Sequence, residues 1–209
     1  MGKVKKYAVV TGSSGDIGQA ICRTFRDNKI FVIGIDRKEL QDNCDVFIHE
    51  DLRFFYRNPE IQNKVLFQIK EVIGNEGLYV LVNNAAIQIL NTTEEVTEDN
   101  WDETIETNLL APFGLIQRLL PELEKAGGSV VNTSSIHATA TKPKFICYAT
   151  SKAALSGMTR ALAVDLGPRL RVNAIHLAAT RTAMLMDGFK GNPEGYELLR
   201  SMHPLNRIA

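Results

Sequence analysis

Features that mark several other protein classes are scarce in this 209-residue sequence. It has three cysteines, an odd number without metal-ligand spacing, which fits reduced intracellular thiols. Neither charge sign is in excess, because 24 lysine and arginine residues balance 24 aspartate and glutamate residues. A nucleic-acid-binding protein would carry a basic footprint, so the balance favours small-molecule chemistry.

Long hydrophobic runs are missing as well. The longest, Leu78–Val82 and Ile30–Ile35, fall far below the ~20 apolar residues that a membrane-spanning helix needs. The start, Met1–Lys6, is basic but leads into a short strand-like run instead of the apolar segment of a signal peptide. We therefore expect a cytoplasmic protein that makes no membrane contact.

The alternation of apolar patterns predicts the fold. The length suits one domain over residues 1–209. Short apolar runs alternate with segments of helical period, as in an α/β protein with a doubly wound parallel sheet of about six strands. We expect strands near Tyr7–Val10, Ile30–Ile35, Val46–His49, Tyr79–Val82, Ser129–Thr133 and Arg171–Leu177, and helices near Ile17–Asn28, Pro59–Ile73, Glu98–Lys125 and Cys147–Asp165.

Two stretches depart from this alternation. The second and third strands lie about ten residues apart, which leaves room for a turn or a very short helix. From Thr182 onward, methionines and aromatic residues mix with glycine and proline. We interpret residues 183–205 as a mobile substrate-side segment, with a short helix near Glu194–Met202.

A glycine-rich loop, Thr11–Gly18, lies between the first strand and the first helix. Its glycines allow a tight turn and a close approach to a pyrophosphate, which the helix N-terminus attracts. The second strand ends at Asp36, where an acid can hydrogen-bond a ribose 2′-hydroxyl and repel a 2′-phosphate. The loop predicts a dinucleotide site, and Asp36 favours NAD over NADP unless it is an ordinary turn residue. The adjacent Arg37 could soften that preference.

Tyr148 and Lys152 are four residues apart in the helix expected near Cys147–Asp165. Side chains at this spacing project from one helix face, so a phenol and an ammonium can share a pocket. The ordinary pKa of tyrosine is about 10, and a nearby positive charge lowers it. The pair indicates a proton-donating tyrosine whose pKa is lowered by the lysine. Taken alone, it could equally be two unrelated side chains on an exposed helix face.

Together these motifs resemble the short-chain dehydrogenase/reductase family over essentially the whole length. The resemblance implies the shorter, single-domain branch with a Rossmann fold, and a homo-oligomer, either dimer or tetramer. It also implies hydride transfer between a nicotinamide cofactor and a secondary alcohol or carbonyl substrate. It rests on Thr11–Gly18, Asp51, Asn83-Asn84-Ala85, Asn108 in a long helix, Ser135, Tyr148 and Lys152.

The resemblance implies four catalytic residues. Tyr148 would be the general acid/base, and Ser135 would hydrogen-bond the substrate oxygen. Lys152 would bind the nicotinamide ribose and lower the pKa of the tyrosine, while Asn108 would hold a water in a proton relay. Ser134 is the rival of Ser135, and the thirteen-residue spacing to the tyrosine selects Ser135.

The implied cofactor site lies along the loops that follow the strands. Thr182 would contact the nicotinamide carboxamide, and no metal is expected. The cofactor-binding residues would be Gly12, Ser14, Asp16, Ile17, Gly18, Asp36, Arg37, Asp51, Leu52, Asn84, Ala85, Ala86, Tyr148, Lys152 and Thr182.

Asp16 is the first of four departures from the family pattern. The shorter branch usually has glycine there, so the spacing Gly12-x-x-Gly15-x-x-Gly18 is closer to the extended, epimerase-type branch. The short length and the close Ser135–Tyr148 spacing argue against that branch. A carboxylate at Asp16 suits the helix N-terminus yet repels a pyrophosphate.

The other departures lie further along the chain. Ala86 replaces a usual glycine, and Leu177-Ala178 replaces a usual Pro-Gly. The last stretch, His203–Ala209, resembles the one that precedes a further helix and a seventh strand, which do not follow here. Two functions therefore stay open: an NAD-dependent oxidoreductase, and a nucleotide-binding protein that has lost catalysis. His137 is expected either to border the substrate pocket or to be an ordinary loop residue.

Overall fold

Short runs of buried aliphatic side chains build a central sheet. The computed structural model describes residues 5–39 and 44–209. All residues of its first and fourth strands are buried, as expected for strands covered on both faces. The strands, all paired in parallel, are β1 (Tyr7–Thr11), β2 (Phe31–Asp36), β3 (Val46–His49), β4 (Val80–Asn83), β5 (Ser129–Ser135) and β6 (Arg171–Leu177).

Helices follow most of the strands, and local sequence fixes several of their ends. Asn58 caps the second helix through hydrogen bonds from the backbone N–H groups of Glu60 and Ile61. Thr97 and Asn100 form a capping box at the start of the third. The helices are α1 (Asp16–Asp27), α2 (Pro59–Ile73), α3 (Glu98–Ile105), α4 (Ala111–Arg118), α5 (Leu120–Lys125), α6 (Ile146–Leu166), α7 (Ala183–Asp187) and α8 (Pro193–Ser201).

The strand order is β3-β2-β1-β4-β5-β6, so the winding direction reverses between β1 and β4. Successive side chains of β1 point to opposite faces of the sheet. Ala8 and Val10 pack with Cys22 of α1 on one face, whereas Val9 packs with the larger core that includes Val65 of α2. This is a doubly wound, Rossmann-like sheet, as the sequence predicts.

The predicted strands are confirmed, and the structure modifies the predicted helices. The single helix expected over Glu98–Lys125 is divided into α3, a π-helical segment at Glu106–Leu110, α4 and α5. Prolines in the first turns of α4 and α5 help to explain the division, because proline starts a helix well but interrupts one.

Three further expectations concern the remaining segments. The short helix expected near Glu194–Met202 is α8, and the preceding α7 was not predicted. The prediction for the β2–β3 crossover falls partly on residues 40–43, which lie outside the described residues. Within the described ranges, none of the helices combines the length and apolar character that a membrane span requires.

Candidate active site

The carboxyl ends of β1, β4 and β5 meet at the point where the strand order reverses. In open parallel sheets, this topological switch point is where ligands bind. β1 continues into the glycine loop, β4 into Asn84 and Ala85, and β5 ends at Ser135. The sheet therefore brings the predicted cofactor and catalytic motifs to one edge.

Two glycines of the loop are required by close packing. Gly12 has a φ of +65°, and a Cβ there would lie 2.8 Å from the Cα of Ala85. A Cβ on Gly18 would collide with the carbonyl oxygen of Gly12. Gly15, in contrast, would meet nothing closer than 3.5 Å. The loop is a backbone cradle at the N-terminus of α1, and this fits the pyrophosphate of a dinucleotide.

The Asp36 carboxylate is tied to this cradle. Its Oδ2 accepts a hydrogen bond of 2.9 Å from the Ser14 backbone N–H, and its Oδ1 accepts one of 2.9 Å from that of Lys38. Arg37 turns toward other acids, with its Nη1 3.7 Å from Asp51 Oδ2 and 3.9 Å from Glu103 Oε1. These bonds fix the Asp36 carboxylate beside the glycine loop.

Asp51 and Leu52 follow β3, the strand that pairs with β2. Asp51 caps the 3-10 turn Leu52–Phe54 by accepting a hydrogen bond of 3.0 Å from the Arg53 N–H. The Leu52 side chain packs into the core. Leu52 thus has little side chain to offer a ligand and can contribute mainly its backbone.

Thr11 joins the first and fourth strands directly behind the cradle. Its Oγ1 accepts hydrogen bonds of 3.0 Å from the backbone N–H groups of both Asn84 and Ala85. The Asn84 side-chain amide donates back to the carbonyls of Thr11 and Gly12. These bonds hold Asn84 and Ala85 against the glycine loop, and the half-buried Ala86 follows them. Sequence reasoning did not identify this part played by Thr11.

Ser135, whose Oγ accepts a hydrogen bond of 3.2 Å from the His137 N–H, lies close enough to the Tyr148 phenol to affect its pKa. Burial raises the pKa of Tyr148, and the nearby Ser135 side chain opposes that rise. This direction is opposite to the expected lowering by Lys152. The reason is that burial of the phenol is the largest influence on its pKa.

Lys152 is buried beside the tyrosine. Its Nζ lies 5.6 Å from the centre of the Tyr148 ring and donates a hydrogen bond of 2.7 Å to the Thr133 carbonyl oxygen. Burial lowers the pKa of Lys152 to about 8. The four-residue spacing therefore brings the two side chains next to each other.

Asn108 connects the α6 helix to the segment after β4. Its amide nitrogen donates to Ile87 O and Ser151 Oγ, both at 3.0 Å, and its Oδ1 accepts from the Ile87 N–H at 2.9 Å. Ser151 Oγ in turn donates to the Tyr148 carbonyl oxygen at 2.7 Å. Asn108 lies in the π-helical segment, and such segments are frequent at functional sites. Among the described residues, Oδ1 accepts this one hydrogen bond and keeps a second lone pair for another donor.

Comparison with known proteins decides the family. A family model described as short chain dehydrogenase matches residues 6–192. The chain belongs to the short-chain dehydrogenase family. Members of this family are NAD(P)-dependent oxidoreductases that act on small molecules, and this chain is one of them.

Individual members of the short-chain dehydrogenase family are similar over most of the chain. Human dehydrogenase/reductase SDR family member 4 is 35% identical over 190 residues, covering 85% of this chain and 67% of that protein. Ligand-free aldohexose dehydrogenase from Thermoplasma acidophilum has a TM-score of 0.90 at 27% identity, covering 98% of this chain and 82% of its own. The structure of 4-hydroxyisoleucine dehydrogenase complexed with NADH has a TM-score of 0.76 at 26% identity, with coverage of 90% and 82%.

Thr182, at the end of the loop after β6, lies close to the glycine loop of this short-chain dehydrogenase. Thr182 caps α7 by accepting a hydrogen bond of 3.2 Å from the Leu185 N–H. The next residue, Ala183, donates its N–H to Asp16 Oδ2 at 2.7 Å. Asp16 therefore links the glycine loop to the segment that carries Thr182, while its half-buried neighbour Ile17 continues α1.

Two aromatic rings, those of His137 and Phe145, pack next to Tyr148. The ring of His137 lies 4.3 Å from that of Phe145 and 6.2 Å from that of Tyr148, between centres. Burial, and then the charge of Lys142, lower the pKa of His137, while a hydrogen bond with the Ala140 backbone opposes them. His137 therefore adjoins the Tyr148 ring instead of standing apart in a loop. Phe145 was missed, although an aromatic residue directly before the tyrosine helix is a usable signal.

Proposed function

We propose that this protein is an NAD-dependent dehydrogenase that interconverts a secondary alcohol and a carbonyl compound, with Tyr148 as general acid/base. The observation that carries the proposal is the buried Lys152 ammonium 5.6 Å from the centre of the Tyr148 ring, with Ser135 near the phenol. When bound, the nicotinamide cofactor supplies or accepts the hydride. The protein supplies the proton from Tyr148 and a positive charge from Lys152 that stabilises the phenolate.

The roles of the side chains follow from their bonding. Ser135 and Tyr148 offer two neighbouring hydroxyl groups to which a substrate oxygen can hydrogen-bond. Because burial raises its pKa, Tyr148 is protonated at neutral pH and ready to donate to a developing alkoxide. Alcohol oxidation needs the opposite transfer, and the Lys152 ammonium stabilises the phenolate that results.

Asp36 supports NAD as the cofactor. Its carboxylate is fixed by the N–H groups of Ser14 and Lys38, so a 2′-phosphate at that position would meet a negative charge. Arg37, which could attract such a phosphate, is paired with Asp51 and Glu103. The family uses both NAD and NADP, and these contacts favour NAD.

The proposal also covers the segment that borders the substrate, the assembly of the protein and its location. Segment 183–205, with the Phe189 and Tyr196 rings 5.8 Å apart, would border the substrate and move as it enters. We expect the protein to be cytoplasmic and to form a homo-oligomer. The assembly is supported by two exposed apolar side chains, Val164 of α6 (83%) and Ile175 of β6 (52%), and by the position of β6 at an edge of the sheet. Light scattering of the purified chain measures the assembly.

A specific observation favours a second function. Asp16 places a carboxylate in the first turn of α1, where a pyrophosphate would approach, so catalysis or cofactor affinity could be impaired. Calorimetry with NADH and NADPH, followed by turnover assays on a panel of alcohols and ketones, separates the two. Binding with turnover of at least one substrate supports the dehydrogenase. Binding without turnover of any supports the impaired binder, and absence of binding contradicts both.

A further inference from the structure

Asp16 bonds to a residue 167 positions away in the sequence. It is the first residue of α1, and its Oδ2 accepts a hydrogen bond of 2.7 Å from the backbone N–H of Ala183. Ala183 is the first residue of α7. The first N–H groups of a helix have no partner within it, so Asp16 supplies a partner from another part of the fold.

The same short segment is fixed at other points. Thr182 Oγ1 accepts from the Leu185 N–H at 3.2 Å, which completes the cap of α7. Arg181 N–H donates to the Ala209 carbonyl oxygen at 2.7 Å, and Ala209 N–H donates to that of Ala179 at 3.3 Å. The contact with Asp16 is therefore the one among these that joins the segment to the dinucleotide loop.

The Asp16 side chain has two opposing effects at this location: its oxygen binds Ala183, and its charge repels a pyrophosphate. A pyrophosphate approaches the N-terminus of α1, where the Asp16 carboxylate has the same charge sign. An orienting role for the side chain gives a physical reason for an acceptor oxygen at this position. The hydrogen bond needs an acceptor oxygen, and the negative charge is not required for it.

We propose that Asp16 is a positioning residue that holds the loop carrying Thr182 over the nicotinamide end of the cofactor site. The inference rests on the proposed function for what binds there. The hydrogen bond to Ala183 orders residues 178–183, and the carboxylate charge weakens binding of the cofactor's phosphates. These two effects act on different ends of the cofactor, so they are separable.

Two substitutions separate them. Asp16→Asn keeps an acceptor oxygen and removes the charge, whereas Asp16→Ala removes both. Asp27→Ala, an exposed acid at the other end of α1, is the matched control. The measurements are hydrogen exchange of residues 178–187 without ligand, and calorimetric affinities for ADP-ribose, which lacks the nicotinamide, and for NADH.

The expected pattern differs among the variants. In Asp16→Ala, exchange across 178–187 becomes about 5-fold faster than in the parent, as expected for the loss of one hydrogen bond, and Asp16→Asn stays near the parent. The two variants bind ADP-ribose equally, and at least as tightly as the parent. NADH binds about 5-fold more weakly to Asp16→Ala than to Asp16→Asn. Asp27→Ala changes none of these values.

Two results overturn the proposal in different ways. If Asp16→Ala and Asp16→Asn exchange equally fast and bind NADH equally, Asp16 does not position the loop, while NADH binding still supports the dehydrogenase. If the parent binds neither NADH nor ADP-ribose, the dehydrogenase proposal is itself contradicted, and the positioning role falls with it.

Discussion

The Lys152 ammonium donates a hydrogen bond of 2.7 Å to the carbonyl oxygen of Thr133, in the strand that leads to Ser135. Helix α6 and strand β5 are thus joined by a buried charged group that also lies next to the Tyr148 ring. Because the ammonium is buried, the pKa of Lys152 falls to about 8. The protonation of Lys152 therefore affects both the stability of the fold and the charge next to the proposed proton donor.

The first prediction concerns that pH dependence. Between pH 8 and about 10.4, the ordinary lysine pKa, the unfolded state binds more protons at residue 152 than the folded state does. Lys152 therefore makes stability rise with pH over this window. Lys152→Met removes this contribution. The free energy of unfolding of the variant, relative to that of the parent, should therefore be higher at pH 7 than at pH 10. Urea unfolding of both proteins at the two pH values measures the difference, and a pH-independent difference contradicts the buried ammonium.

A second prediction concerns the Thr11 hydroxyl. Thr11→Val leaves the N–H groups of Asn84 and Ala85 without their acceptor, which should cost about 2 kcal/mol of unfolding free energy. Thr11→Ser keeps the oxygen and should cost less than about 1 kcal/mol. Urea denaturation of the three proteins provides the comparison. Equal stabilities of the valine and serine variants would show that the hydroxyl is not the link between the strands.

Two glycines of the cradle make a matched pair. Gly12→Ala has to adopt a φ of +65° and approach Ala85, so NADH affinity should fall by at least about tenfold. Gly15→Ala meets nothing within 3.4 Å and should stay within about threefold of the parent. Calorimetry with NADH tests both variants. Similar affinities for the two would mean that the cradle does not hold the cofactor.

Cofactor choice depends on Asp36. Asp36→Ser keeps a hydrogen-bonding group and removes the charge that opposes a 2′-phosphate. The ratio of kcat/KM for NAD to that for NADP should fall by about tenfold, since one charge contact is worth about 1 kcal/mol or somewhat more. Asp27→Ser, an exposed acid at the last residue of α1, serves as the control. An unchanged ratio in Asp36→Ser places cofactor selection elsewhere.

The sequence predicts the sheet well because its information is local. Buried runs such as that around Val9, the loop ending at Gly18 and the Tyr148–Lys152 spacing each fix structure within a few residues. The bond between Asp16 and Ala183 could not be predicted, since it depends on two distant segments meeting at one sheet edge. The hydrogen bonds between Asn108 and Ile87 could not be predicted for the same reason.

The direction of the Tyr148 pKa shift shows a second kind of limit. The spacing of Tyr148 and Lys152 predicts that they are neighbours, and they are. Spacing carries no information on how deeply each group is buried, and burial sets the sign of both shifts. A motif therefore predicts which groups meet more reliably than it predicts their protonation.

The central claim is that Tyr148 exchanges a proton with the substrate oxygen. Once a substrate has been found in the alcohol and ketone panel, steady-state turnover of the parent and of Tyr148→Phe tests it most directly. General acid–base catalysis contributes about 10²–10⁴-fold, so kcat should fall by that factor while NADH affinity stays within about threefold. A Tyr148→Phe enzyme that turns over within about threefold of the parent would contradict the account.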